Sequence, residues 1–325
     1  MDIVKSEEKV NARVAVLLAA FNGLPWIEEQ IRSILSQEGV QLTLFVSVDK
    51  STDGTESCID CLANDDPRLI VLPYGRSFEG PAEHFFNLMC ETQVSDYDYV
   101  AFADQDDIWL PHKLIRAVNK MLTEKAEAYS SSVIASWTDG TQCLVKKSQP
   151  QVKWDFLFES AGPGCTYVLS SKLAKDIREY ILSRPALIQD MKVHDWFFYA
   201  YARLFGYRWT IDDEPLVIYR QHAMNAEGAN IGWKAWLRRF NKIRSGWWLR
   251  QVLTIADTFG LRSHAPVSIW LSGTWRGYVH LGYNFWQCRR RFRDKIIFLG
   301  ICMLFALCNI KIFSSKNSAH KGSLQ

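Results

Sequence analysis

The sequence predicts an α/β protein with an open, mostly parallel sheet, helices on both faces, and a helical, basic and aromatic C-terminal region. Three observations predict it. Short apolar runs alternate with helical stripes over the first 120 or so residues, the pattern of successive strand–helix–strand units. The runs are continuous rather than alternating, as in strands covered on both faces. Polar residues cluster where the runs end, and in such sheets ligands bind outside the carboxyl ends of the strands.

Residues 13–20 (RVAVLLAA) form the first run, too short for a helix of its own. Phe21, Asn22 and Gly23 turn the chain, and Pro25 stands where a helix begins. Ile27, Ile31, Ile34 and Leu35 give that helix its apolar stripe. A second strand runs from Leu42 to Val48 and ends at Asp49. A polar turn follows, in which Ser51 or Asp53 is expected to cap the next helix. Leu69–Leu72 is a third strand. Gly80 and Pro81 break the chain before a helix carrying Phe85, Phe86, Leu88 and Met89. The fourth strand, 97–103, leads into Asp104, Gln105, Asp106 and Asp107, and Leu114, Ala117, Val118, Met121 and Leu122 place a helix behind them.

Three carboxylates within four residues repel one another, and a cation neutralises them best. Carboxylates on a short turn suit a hard ion such as Mg²⁺ or Mn²⁺, which keeps positions open for phosphate oxygens. The other reading is a solvated acidic loop that caps the following helix.

The chain has 325 residues, 48% hydrophobic and 22% charged, with a formal net charge of +3. That figure conceals a division. Residues 1–227 hold 22 Lys/Arg against 33 Asp/Glu, whereas residues 228–325 hold 16 against 2. An acidic body with a basic tail suggests two jobs, the tail facing phosphates. The eight cysteines follow no regular framework and no secretory leader opens the chain, so reduced thiols in the cytosol are expected. Cys58 and Cys61 have redox spacing without a second pair, and are read as incidental neighbours on a helix.

Ala19–Gly23 (AAFNG), Val48–Thr55 (VDKSTDGT) and Ala103–Pro111 (ADQDDIWLP) resemble, in that order, the signatures of family 2 glycosyltransferases. These have the GT-A nucleotide-sugar-binding fold, and the wording resembles the bacterial rhamnosyltransferase-like branch. The resemblance covers roughly residues 12–228, the expected glycosyltransferase domain, leaving 229–325 as a membrane-association region with a disordered tail. It implies a nucleotide-sugar donor whose base meets Asp49, with Phe21 and Asn22 lining base and ribose. It also implies that Asp104 touches the ribose or the metal, and that Asp106 ligates Mg²⁺ or Mn²⁺ bridging the phosphates. Val48 stands where many relatives have a first Asp. Asp53 is read as a turn residue rather than a ligand.

Gly162–Ser170 (GPGCTYVLS) is a glycine turn entering a β-rich run, and resembles the segment facing the acceptor and donor sugar; Gly164 is its candidate. Asp195 opens an aromatic helix where inverting members place a general base, which takes the acceptor hydroxyl's proton as the sugar becomes oxocarbenium-like. As a bare residue it would only cap the helix. Trp196 is the candidate stacking platform for the acceptor. Leu216–Asn225 is a strand ending in Arg220, Gln221 and His222. It resembles the distal motif whose His completes the metal shell, with Arg220 near the diphosphate. The Gln-x-x-Arg-Trp signature of processive synthases is absent, so single transfers are expected.

Trp233, Trp236, Leu237, Phe240, Ile243 and Trp247 recur at helical spacing with Lys and Arg between them. Such a helix suits a membrane interface or nucleic acid. The next feature decides for an anionic membrane surface and against nucleic acid: Arg289–Lys295 precedes fifteen uncharged residues, 296–310. That run falls short of the roughly 20 residues that span a bilayer, so a monotopic or re-entrant helix is expected, against a helix packed on the domain.

The whole reads as an inverting, metal-dependent glycosyltransferase on the cytoplasmic face of a bacterial inner membrane. By resemblance it moves rhamnose from dTDP-L-rhamnose to a lipid-linked glycan such as lipopolysaccharide core or O-antigen. A nucleotidyltransferase of related fold needs a Gly-rich, basic phosphate loop after the first strand, and AAFNG has neither. A non-catalytic membrane scaffold leaves the acidic cluster, Asp195 and His222 without a reason to occur together.

Overall fold

The computed structural model describes residues 11–186, 190–222, 241 and 243–308. They fall into two compact units, the described parts of Met1–Gln149 with Ser160–Gln251, and of Pro150–Glu159 with Val252–Gln325.

In the first unit the strands are β1 (Arg13–Ala20), β2 (Gln41–Val48), β3 (Leu69–Val71), β4 (Tyr99–Asp104), β5 (Ile108–Trp109), β6 (Ala128–Ser131), β7 (Val133–Trp137), β8 (Gln142–Val145), β9 (Val168–Ser170), β10 (Trp209–Asp212) and β11 (Val217–Gln221). The main sheet has seven, in the order β10-β6-β9-β4-β1-β2-β3. All neighbours are parallel except β9, which runs antiparallel between β4 and β6. The expected mostly parallel α/β sheet is what forms. Val14 to Leu18 are fully buried, which accounts for their unbroken apolar run.

Register sets the working edge. Ala20 lies opposite Val48, and Ala19 opposite Asp104, so the chain leaves β1, β2 and β4 side by side. Ile27, Ile31 and Ile34 on the helix Ile27–Leu35 are also fully buried. At about 2 kcal/mol for each such side chain, they fasten this helix and the turn before it. The helix Pro81–Glu91 starts after Gly80 at φ 150°, a backbone angle that favours glycine. Leu122, expected on the buried stripe of the helix Lys113–Glu124, is 53% exposed because that helix has already turned it outward.

A second sheet, β5-β11-β7-β8, was not expected from the sequence. β5 is two residues long and starts just after the acidic cluster. Its pairing of Val217 with Trp109 and Ile218 with Ile108 returns β11 to that cluster from over a hundred residues away.

The second unit is helical. Gly282, on the helix Trp275–Tyr283, lies so close to the helix Phe292–Leu307 that an added Cβ would meet the Met303 side chain at 2.5 Å. The segment 150–159 is stapled into this unit. Trp154 N–H donates to the Gln287 carbonyl at 2.8 Å, and Arg290 N–H to Glu159 at 2.6 Å. Arg290, 6% exposed, faces the fully buried Asp155 at 3.5 Å. Two arginines of the expected surface cluster, Arg289 and Arg290, are thus turned inward onto Glu159 and Asp155.

On Phe292–Leu307, Phe298, Cys302 and Phe305 are buried, while Ile296, Ile297, Leu304 and Leu307 are exposed. Among the described residues no helix is long and apolar enough to cross a membrane. The stripe Trp233–Phe240, Asn225 and the tail Ser314–Gln325 lie outside the described residues, as do the last two residues of 296–310.

Candidate active site

The strand ends are held together by side chains that the motifs alone do not reveal. Gln105, the middle residue of the acidic motif, accepts from Phe21 N–H at 2.6 Å and donates to the Phe21 carbonyl at 2.8 Å. A Cβ on Gly23 would sit 2.3 Å from that amide oxygen, so a larger residue there would push Gln105 off Phe21. Phe21 itself is 50% exposed. Asn22, at φ 45°, donates its N–H to Ser51 Oγ at 3.0 Å, and its side-chain oxygen accepts from Thr52 N–H at 2.9 Å.

Neither Ser51 nor Asp53 caps the next helix, whose N-cap is Gly54 in the left-handed region. Asp53 accepts instead from Thr55 N–H and Thr55 Oγ1, and from Leu24 N–H. It is a turn residue, and its carboxyl is lowered by those bonds, which outweigh burial. Asp49, 8% exposed, accepts from Phe78 N–H at 3.3 Å.

Asp106 is 8% exposed and meets His222 Nε2 at 2.9 Å. The imidazole lies flat on Trp26, with ring centroids 3.9 Å apart and planes 11° from parallel. The strand pairing of β5 with β11 thus brings together two residues 116 apart in sequence. Arg220 reaches Glu29 through its guanidinium, an ion pair the sequence reading did not foresee.

The acids carry more charge than their surroundings favour. Burial, then the carboxylates of Asp106 and Asp195, push the Asp104 carboxyl up to about 7. Burial raises Asp106 as well, opposed by His222 and Arg220. Asp107 is fully buried and is pushed far up by burial and by its two neighbours. Protons or a cation relieve such a cluster, and its carboxylates are donors that suit Mn²⁺ or Mg²⁺. The residues therefore fit a divalent ion. Ligand atoms of Asp104, Asp107 and Cys165 also lie within 4.8 Å of one another. Beneath them Lys113, 1% exposed, holds its ammonium 3.3 Å from the centre of the Trp109 ring. Burial draws that ammonium down to about 7, against the pull of Cys165 and Asp107. Asp107 was legible as the third acid of the cluster, whereas Cys165 and Lys113 looked like ordinary turn and helix residues, and only their convergence on it marks them.

Asp195 lies in the first turn of the helix His194–Leu204, where Val193 is the N-cap; its carboxylate accepts from Trp196 N–H at 2.7 Å. The turn that bears Cys165, beside Asp104 and Asp107, also packs on this helix at Asp195, so helix and acidic cluster border one site. A Cβ on Gly164 would stand 2.8 Å from His194 Nε2 and 3.3 Å from Asp195 Cβ. Gly164 therefore serves the close approach of its turn to this helix. His194 packs on Phe85 with centroids 4.2 Å apart, and burial holds its ring down to about 3, hence neutral. Trp196 is 5% exposed, so contact with a ligand by its ring requires neighbouring side chains to move.

Cys58 and Cys61 are unpaired, and burial followed by Glu28 raises the Cys58 thiol, opposite to what a redox thiolate needs.

Comparison with known proteins matches the chain to one family. The model described as Glycosyl transferase family 2 matches residues 15–160. The chain is 38% identical over 288 residues to dTDP-rhamnosyl transferase RfbG of Shigella flexneri, covering 88% of this chain and 99% of that one. It is 26% identical over 159 residues to WfaP of Escherichia coli, named as a UDP-Glc:alpha-D-GlcNAc-diphosphoundecaprenol beta-1,3-glucosyltransferase, covering 48% and 59% of the two chains. Among solved structures, S. aureus TarS 1-349 in complex with UDP-GlcNAc superposes with a TM-score of 0.52 at 14% identity, covering 91% of this chain and 89% of that one. The fold is therefore GT-A-like, and the chain belongs to glycosyltransferase family 2 and is a glycosyltransferase.

Proposed function

We propose that the enzyme is an inverting, metal-dependent and non-processive transferase. It moves a deoxyhexose, L-rhamnose from dTDP-L-rhamnose, onto a lipid-linked surface glycan such as lipopolysaccharide core or O-antigen. One observation carries the reading: Asp106 meets His222 at 2.9 Å, and the turn of Gly164 and Cys165 borders both Asp195, 3.3 Å from a Cβ on Gly164, and the acidic cluster, with Cys165 within 4.8 Å of Asp104 and Asp107. Similarity to RfbG along almost its whole length supports the donor, and the acceptor in the name of WfaP supports a lipid diphosphate.

In this reading Asp49 takes an N–H of the base and the exposed ring of Phe21 covers it, with Asn22 shaping the ribose side. Asp104, Asp106 and His222 would hold Mg²⁺ or Mn²⁺, which when bound offsets the charge gathering on the departing nucleoside diphosphate. Arg220 leaves Glu29 to meet the same diphosphate, since a diphosphate offers the guanidinium more charge than one carboxylate. Asp195 takes the acceptor hydroxyl's proton as that oxygen attacks the sugar carbon from the face opposite the leaving group, which inverts the centre. Gly164 lets its turn close on the helix that carries Asp195, and Trp196 meets the acceptor once the side chains that cover its ring move aside. The test is consumption of a panel of nucleotide sugars, with and without a lipid-linked acceptor extract. Turnover of dTDP-L-rhamnose that needs the extract is expected; faster, extract-dependent turnover of another donor replaces the sugar assignment.

We place catalysis in residues 1–228 and membrane association in 229–325, with 150–159 joining the latter, on the cytoplasmic face of a bacterial inner membrane. Exposed Trp275, Tyr283, Trp286 and Phe292, the outward Ile296, Ile297, Leu304 and Leu307, and exposed Arg291 and Arg293 support contact with an anionic surface. Salt screens the arginines but not the apolar contacts. A high-salt wash of membranes should therefore leave most protein in the pellet, whereas Ile297→Gln with Leu304→Gln should release it. Complete release of the native protein by salt alone contradicts an apolar anchor.

A further inference from the structure

Asp49 has one oxygen fixed and one open. Phe78 N–H occupies Oδ1 at 3.3 Å, and among the described residues no hydrogen bond is made to Oδ2. Phe78 does not stand alone. Its ring lies on His84, with centroids 4.2 Å apart and planes 16° from parallel. His84 Nε2 meets Ser47 Oγ at 2.8 Å, and Ser47 lies on β2, two residues before Asp49, which directly follows that strand. The contacts close a ring: strand residue Ser47, helix residue His84, loop residue Phe78, and back to Asp49 just past the strand's end. Gly80 at φ 150° makes the turn between Phe78 and the helix. His84 is 4% exposed, and burial keeps its ring neutral, drawn down to about 4.

We propose that Ser47, His84 and Phe78 are positioning residues that aim the open oxygen of Asp49 at a ring N–H of the nucleobase. The inference rests on the reading of Asp49 as the base contact. It adds a specificity device: a single acceptor, held in one direction, accepts the N3–H of thymine or uracil and opposes the bare N3 of cytosine. A stacked ring pair and a hydrogen bond fix that direction, where a free carboxylate would rotate and accept from other donors. Nothing in this ring touches the transferring sugar, so its effect falls on donor binding and base choice.

The experiment uses the full chain with Mn²⁺ and three probes: thymidine diphosphate, cytidine diphosphate and inorganic pyrophosphate, which lacks a base. Ser47→Ala and His84→Leu should each weaken thymidine diphosphate about tenfold, the worth of one hydrogen bond, and reduce its preference over cytidine diphosphate. Pyrophosphate affinity should stay near native. In the transfer assay KM for the donor should rise while the saturated rate stays close to native, and His84→Gln, whose amide reaches toward Ser47, should recover part of the loss. Ser47→Ala changes little volume, so it decides the matter where His84→Leu fails to fold. Asp49→Asn separates the two ideas. If it leaves thymidine diphosphate binding unchanged, the base contact and the device both fall. If it weakens binding while Ser47→Ala and His84→Leu do not, only the device falls. Equal losses for pyrophosphate and thymidine diphosphate also overturn it, since they mark a general structural role.

Discussion

Asp195→Asn is expected to lower turnover by about 10²–10⁴-fold, the usual contribution of a general base, with nucleotide affinity near native. The substitution keeps shape and the hydrogen bond accepted from Trp196 N–H, so the helix start should survive while basicity is lost. Single-turnover transfer in the presence of acceptor is the measurement, because it isolates the chemical step. A mutant that transfers at close to the native rate would move the base elsewhere. Asp155 is then a poor successor, since it is fully buried against Arg290; Asp190, which is exposed, is a better one.

Asp106→Ala is expected to abolish the dependence of nucleotide binding on Mn²⁺ without unfolding the protein. Removing this carboxylate takes away a proposed ligand and the partner of His222 at 2.9 Å. It also relieves the repulsion felt by Asp104 and Asp107. Both effects weaken the attraction for a cation, and the relief of repulsion offsets the loss of packing, so stability should change little. Titrating thymidine diphosphate against increasing Mn²⁺ in native and mutant protein tests this. A mutant whose affinity rises with Mn²⁺ as the native affinity does would remove Asp106 from the metal site.

The sequence by itself determined the parallel sheet, because strands buried on both faces leave continuous apolar runs and their helices leave stripes. It also located Phe21, Asn22, Asp49 and Asp104 at one edge, since each lies within two residues of such a run's end. Asp106, His222 and Asp195 were legible as candidates through a resemblance, motif by motif, but their meeting was not. That meeting depends on β5, whose two residues are too few to leave a periodic signal, and on a pairing that spans more than a hundred residues. The support around the site was equally hidden. Gln105 clamping Phe21, Trp26 under His222 and His84 behind Asp49 are ordinary residues until packing gives each a partner. The basic cluster shows the opposite case. Local charge marked Arg289 and Arg290 as surface residues, yet buried Asp155 and nearby Glu159, far earlier in the chain, draw them inside. Hydrophobic period is written in neighbouring residues, whereas the cost of burying a charge is settled by whichever distant group arrives to pair with it.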